Sequence, residues 1–259
     1  MVRMAAKKNE YLKPRFVPLA HRGGAFLPSN LGIENTLKAF SNAVKLGFNY
    51  LETDIHATSD GHLIAFHDVD LARVTDFVGK PGALTLRRLK ELRVGGREEI
   101  PTLDELFEAF PEANFNIDIK EPQCTRLLAE FIDRHAAHDR VCVGSFSGRQ
   151  IRRFRRLQPS VTTSASVGAA ALLAAGLVRT RGDVYQIPLS HRVGGLNVRL
   201  VTAKHIAAIH RAGKKVHVWT IDDESTMHRL IDWGVDGIVT DRPDVLKAVL
   251  RARGMWSTR

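Results

Sequence analysis

Eight short apolar runs, each followed by a segment of helical periodicity, constrain this chain more than any other feature. Residues 17–20, 50–55, 115–119, 141–145, 161–165, 184–188, 215–220 and 237–240 read as strands. Helical patterns lie at 36–46, 103–110, 127–136, 148–157, 169–178, 202–212, 224–233 and 243–253. Thr102 and Glu105 have the spacing of a capping box that opens the second helix. Strict alternation of this kind predicts an α/β protein with a parallel sheet. Eight units in 259 residues predict a closed (β/α)8 TIM barrel. A doubly wound open sheet is the runner-up. Its nucleotide-binding version is disfavoured, because no GxGxxG run precedes an acid at the expected distance.

One connection breaks the rhythm. Residues 68–101 separate the second and third barrel strands, with a short helical pattern at 84–92. Barrels lengthen such loops at their catalytic face. A small insertion over residues 69–100 is therefore expected there, within a single barrel domain spanning 16–259. Residues 1–15 are polar and basic with no apolar core, so they are expected to be a disordered tail rather than a secretory signal. The longest apolar run covers residues 167–178 and includes Gly168 and Gly176. It is shorter than the roughly 20 residues of a membrane span. Stable membrane insertion is thus not expected, and a cytoplasmic protein is. Cys124 and Cys142 are the two cysteines and form no CxxC pair, which argues against a zinc or disulfide framework.

The net charge of +10 favours anionic partners. Its densest cluster is Arg149, Arg152, Arg153, Arg155 and Arg156, with Ile151, Phe154 and Leu157 interleaved at three-residue spacing. That is an amphipathic helix with a solvated basic face, and no nucleic-acid motif accompanies it. A small phosphorylated substrate fits the charge better than nucleic acid.

The chemistry-bearing residues gather at the ends of the first strands. Glu52 and Asp54 are two apart on a strand and point the same way. Two adjacent carboxylates on a buried strand call for a cation between them, and oxygen ligands suit Mg²⁺ or Ca²⁺. Asp118 and Lys120 repeat the pattern on the next barrel strand. His21 ends the first strand and His67 follows a short extra strand at 62–66; both are suited to proton transfer near neutrality. Arg22 offers a planar fork for phosphate, and Gly23-Gly24 could bring backbone N–H groups to an anion. His56 shares a face with Glu52 and Asp54 and is either a supporting group or part of a loop. Trp219 lies late in its strand, where a barrel would place it over the pocket.

Taken together, His21-Arg22-Gly23, Glu34-Asn35-Thr36, Glu52-x-Asp54, Thr58-x-Asp60-Gly61, His67-Asp68, Asp118-Ile119-Lys120, Trp219-Thr220 and Asp236-Gly237-Ile238-x-Thr240-Asp241 resemble the glycerophosphodiester phosphodiesterase family. They occur in the family's order along nearly the whole chain. The resemblance implies a barrel with an insertion after its second strand and hydrolysis of glycerophosphodiesters to glycerol 3-phosphate and an alcohol. It implies His21 and His67 as acid and base, and one divalent metal on Glu52, Asp54 and Asp118. Arg22, Lys120, Trp219 and Glu34 would contact substrate. It also implies attack by the substrate's own 2-hydroxyl, giving a cyclic phosphate. Ile33 stands where the family usually has proline, the loop from Gly24 to Gly32 is long, and Asp118 replaces a more common glutamate. A lysophospholipase D-type activity and a non-catalytic phosphate-binding barrel are the alternatives. The wide separation of His21 and His67 disfavours a toxin-type phospholipase D.

Overall fold

The computed structural model describes residues 10–174, 176–193 and 196–256. Its strands are β1 (Val17–His21), β2 (Tyr50–Ala57), β3 (Leu63–Ala65), β4 (Asn114–Ile119), β5 (Val141–Gly144), β6 (Thr162–Thr163), β7 (Val184–Pro188), β8 (Ser190–Val193), β9 (Leu196–Arg199), β10 (Lys215–Trp219) and β11 (Gly237–Thr240). Eight of them pair in parallel in the order β6-β5-β4-β2-β1-β11-β10-β7. A parallel bridge from Ser164 to Val184 closes the ring, with Ala165 N–H donating to the Val184 carbonyl at 2.7 Å. The fold is the expected TIM barrel.

The period of two along each strand sorts side chains between two cores. Val17, Leu19, Tyr50, Cys142, Val184 and Val239 pack inside the barrel. Ala20, Leu51, Ile55, Phe115, Ile117, Val143 and Tyr185 face outward and pack with the helices. Those helices are α1 (Leu37–Lys45), α2 (Leu86–Leu89), α3 (Leu103–Ala109), α4 (Cys124–Arg134), α5 (Gly148–Leu157), α6 (Val167–Ala174), α7 (Ala203–Arg211), α8 (Glu224–Asp232) and α9 (Pro243–Ala252). Side-chain caps set several starts: Thr36 on α1, Thr202 on α7, and the Thr102–Glu105 capping box on α3. α6 begins two residues before the expected 169 and ends at Ala174, short of the expected 178.

Three features differ from expectation or add to it. The tail boundary at residue 15 is too late. Glu10–Leu12 forms a 3-10 turn, and Tyr11 is fully buried among the lower interior residues. It stacks edge-on against Tyr50 at 5.1 Å, and Tyr50 Oη donates to the Tyr11 carbonyl at 2.8 Å. Residues 1–9 lie outside the described residues. The second feature is the insertion, which carries α2, two 3-10 turns and its own apolar cluster of Ile64, Phe66, Leu71, Leu89, Leu92, Val94 and Ile100. The third is the antiparallel β8–β9 pairing after β7, in a stretch where no strands were expected. Its signal in the sequence is the Gly194-Gly195 pair between two extended runs.

Candidate active site

The inward positions change character toward the C-terminal ends of the strands. Above the apolar layer come His21, Glu52, Asp54, Asn116, Asp118, Lys120, Gln186 and Trp219, which line a cavity of about 820 Å³ with His67 at its side. Strand register brings them together: His21 pairs with Glu52, Glu52 with Asn116, and Asp54 with Asp118. Arg22 follows β1 at φ +50°, and Gly23 and Gly24 follow at φ +84°. A Cβ on Gly23 would stand 2.9 Å from the Ala39 backbone, so only glycine lets α1 pack this closely. The N–H groups of Gly23 and Gly24 donate to the carbonyls of Ala20 and His21, so both are already engaged within the turn.

Each histidine is oriented by a carboxylate. His21 Nδ1 donates to Asp241 Oδ1 at 2.8 Å, and its Nε2 stands 3.7 Å from Glu52. His67 Nδ1 donates to Asp68 Oδ1 at 2.6 Å. The two rings are tuned in opposite directions. Burial alone would lower the His21 pKa, but Glu52 and Asp241 outweigh it and hold it above the ordinary value. Burial, with Arg22 and Lys120 close by, holds His67 below the ordinary value against the pull of Asp54 and Asp68. His56 is a supporting group: it is buried, with Nδ1 on Glu121 at 3.0 Å and Nε2 on the His67 carbonyl at 3.2 Å.

The cations form a second layer of contacts. Lys120 Nζ bridges Asp54 at 2.7 Å and Asp118 at 2.8 Å. Arg22 reaches Asp54 through Nε at 3.3 Å and Glu34 through a terminal nitrogen at 2.9 Å. Glu34 itself is not among the cavity-lining residues. It sits behind Arg22 and is also gripped by Arg73 at 2.6 Å, and Arg73 in turn bonds Asp68. Asp241 and Arg73 thus complete the site, although sequence reasoning gave neither a role. Asp241 stood in a quoted motif, but its meeting with His21 depends on β1 pairing with β11 across the closure. No spacing pattern singles out Arg73.

The chemistry of the acidic floor bears on a metal ion. Burial and the adjacent Asp54 raise the Glu52 carboxyl to about 7. Burial also raises Asp118, while Lys120 and Arg22 outweigh burial to lower Asp54. Three carboxylates form an oxygen-only donor set of the chemistry that a hard divalent cation takes, with Lys120 Nζ lying between Asp54 and Asp118. Among the described residues, no three His, Cys, Asp or Glu side chains are already drawn together as a ligand cluster.

A sequence model of the glycerophosphoryl diester phosphodiesterase family matches residues 21–245. The chain belongs to this family. It is similar to a probable glycerophosphodiester phosphodiesterase 2 of Mycobacterium tuberculosis, with 40% identity over 93% of this chain and 92% of that protein. A glycerophosphodiester phosphodiesterase of Bacillus subtilis is 28% identical over 95% of this chain and 90% of its own length. A solved phosphodiesterase of Oleispira antarctica, in complex with the product sn-glycerol-3-phosphate, shares the fold with a TM-score of 0.76. That likeness covers 91% of this chain and 96% of the other at 24% identity. Membership makes the chain a phosphoric diester hydrolase.

Proposed function

We propose that the chain hydrolyses glycerophosphodiesters to glycerol 3-phosphate and an alcohol, with His21 and His67 exchanging the protons. The observation that carries this reading is the pair of cavity-lining histidines. Each has Nδ1 tied to its own carboxylate, and they are tuned to opposite sides of the ordinary value. The lowered His67 is the base: it takes the proton of the 2-hydroxyl as that oxygen bonds to phosphorus. The raised His21 is the acid: it protonates the leaving alcohol as its P–O bond breaks. In the second half the roles reverse, with water opening the cyclic phosphate. Arg22 and Lys120 bind the phosphate oxygens, and Trp219 walls the glycerol. A divalent ion, Mg²⁺ or Ca²⁺, held by Glu52, Asp54 and Asp118, supplies positive charge against the phosphate when bound. The test is a diester lacking the 2-hydroxyl, which is expected to bind but turn over poorly, together with synthetic glycerol 1,2-cyclic phosphate, which is expected to be hydrolysed. Equal turnover of the 2-deoxy diester would point to direct attack by water.

A second reading has one observation in its favour. Part of the cavity wall is apolar: Phe146, Val167, Ala170, Ala171 and Leu200 are among the residues that line it. An acyl chain would fit against that wall, as in a lysophospholipase D-type reaction at the same phosphate site. Comparing turnover of glycerophosphocholine with that of lysophosphatidylcholine separates the two readings.

A further inference from the structure

Asp222 has no part in the chemistry derived above, yet its contacts converge on the partner of His21. It follows β10, beyond Thr220 and Ile221. β10 pairs with β11 through His217–Gly237 and Val218–Ile238. Ile221 N–H extends that pairing by donating to the Val239 carbonyl at 3.0 Å. There the ladder ends, and the N–H of Asp241, just past β11, needs a different acceptor. Asp222 supplies it. Its Oδ1 accepts from Asp241 N–H at 2.8 Å and from the Thr240 hydroxyl at 3.0 Å. That hydroxyl accepts in turn from Arg242 N–H at 2.9 Å, so its own proton is committed to Asp222.

On its other side, the Asp241 carbonyl accepts from Phe26 N–H at 3.0 Å. The Asp241 backbone is therefore held through both its donor and its acceptor. From that fixed backbone only the side-chain torsions remain to bring Oδ1 to His21 Nδ1 at 2.8 Å. Burial and the Asp241 carboxylate raise the Asp222 carboxyl above the ordinary carboxylate range, while its two hydrogen bonds and the His21 ring pull the other way. Asp222 is not among the residues that line the catalytic cavity, so its route to the reaction runs through Asp241.

We propose that Asp222 is a positioning residue: by fixing the Asp241 backbone, it holds the carboxylate that orients His21 for proton delivery to the leaving alcohol. The inference rests on the reading of His21 as the acid, and the test separates the two. Two diesters of glycerol 3-phosphate are compared, one with choline and one with p-nitrophenol, with the protein in excess and Mg²⁺ present so that only the first release of alcohol is read. The choline oxygen takes the His21 proton as its P–O bond breaks, whereas p-nitrophenolate leaves as a stable anion and needs no proton.

Asp222→Ala is expected to slow choline release by about tenfold or more, as a slightly misplaced catalytic group does, and to change p-nitrophenol release and the half-saturating substrate concentration by less than about threefold. His21→Ala should show the same selectivity more strongly. Asp222→Asn keeps the accepting oxygen and should restore most of the choline rate. Thr240→Val removes one anchor of Asp222, leaves its bond to Asp241 N–H, and should show the selectivity in smaller measure, which provides the test if Asp222→Ala does not fold. Equal slowing of both diesters by the Asp222→Ala protein, beside selective slowing by His21→Ala, would overturn the inference and leave the acid reading standing. So would an Asp222→Asn protein as slow as Asp222→Ala. Equal slowing of both diesters by His21→Ala would remove the acid reading and this inference with it.

Discussion

His21 and His67 line the same cavity under opposite influences, and the acid and base roles proposed for them take their tests from that. His21→Ala and His67→Ala are each expected to lower kcat by the roughly 10²- to 10⁴-fold typical of a lost acid or base, with substrate affinity changing less. Near-normal turnover in either variant would make that ring structural. The directions of tuning also fix a pH profile. The base must be neutral, so activity falls as pH drops through the lowered pKa of His67. The acid must be protonated, so activity falls as pH rises through the raised pKa of His21. The kcat/KM profile is therefore expected to be a bell with limbs on either side of the ordinary histidine value. Asp241→Asn removes part of what raises His21 and should move the alkaline limb to lower pH while leaving the acid limb in place. The motifs made the two histidines and the acids legible, because each is spaced along one strand or its following turn. Asp241 and Arg73 were not legible as partners, because their contacts cross between elements far apart in sequence.

At the scale of elements, the strands and most helices could be read because apolar periodicity and caps such as Thr36 and Thr102 are local. The β8–β9 hairpin and the first ordered residues were harder to see. Tyr11 sits in a polar, basic stretch whose composition suggests disorder, and only the closed ring of strands supplies the hole it fills. Among the described residues its hydroxyl has no hydrogen-bond partner, so its contribution is apolar packing. Tyr11→Phe is expected to leave stability nearly unchanged. Tyr11→Ala should cost about 3–5 kcal/mol, as for other large aromatic truncations in cores, measured by urea unfolding. A small effect of Tyr11→Ala would show that the bottom of the barrel closes without this residue.

For the whole molecule, the barrel gathers charges that would repel one another anywhere else. Lys120 bridging Asp54 and Asp118, and the raised Glu52, place both signs of charge on one floor, with carboxylates of the kind a divalent ion takes. Chelation is therefore expected to abolish turnover, and Mg²⁺ or Ca²⁺ to restore it. Glu52→Gln should behave like the chelated protein while remaining folded, and full activity in metal-stripped protein would remove the ion from the account. The central claim is that this floor and its two histidines cleave glycerophosphodiesters. Its most direct test is the release of glycerol 3-phosphate from sn-glycero-3-phosphocholine by the wild type beside the His21→Ala/His67→Ala double variant. The account predicts stoichiometric glycerol 3-phosphate and choline from the wild type and loss of both products in the folded variant. Absence of glycerol 3-phosphate from the wild type with either divalent ion present, or equal release by the double variant, would contradict it.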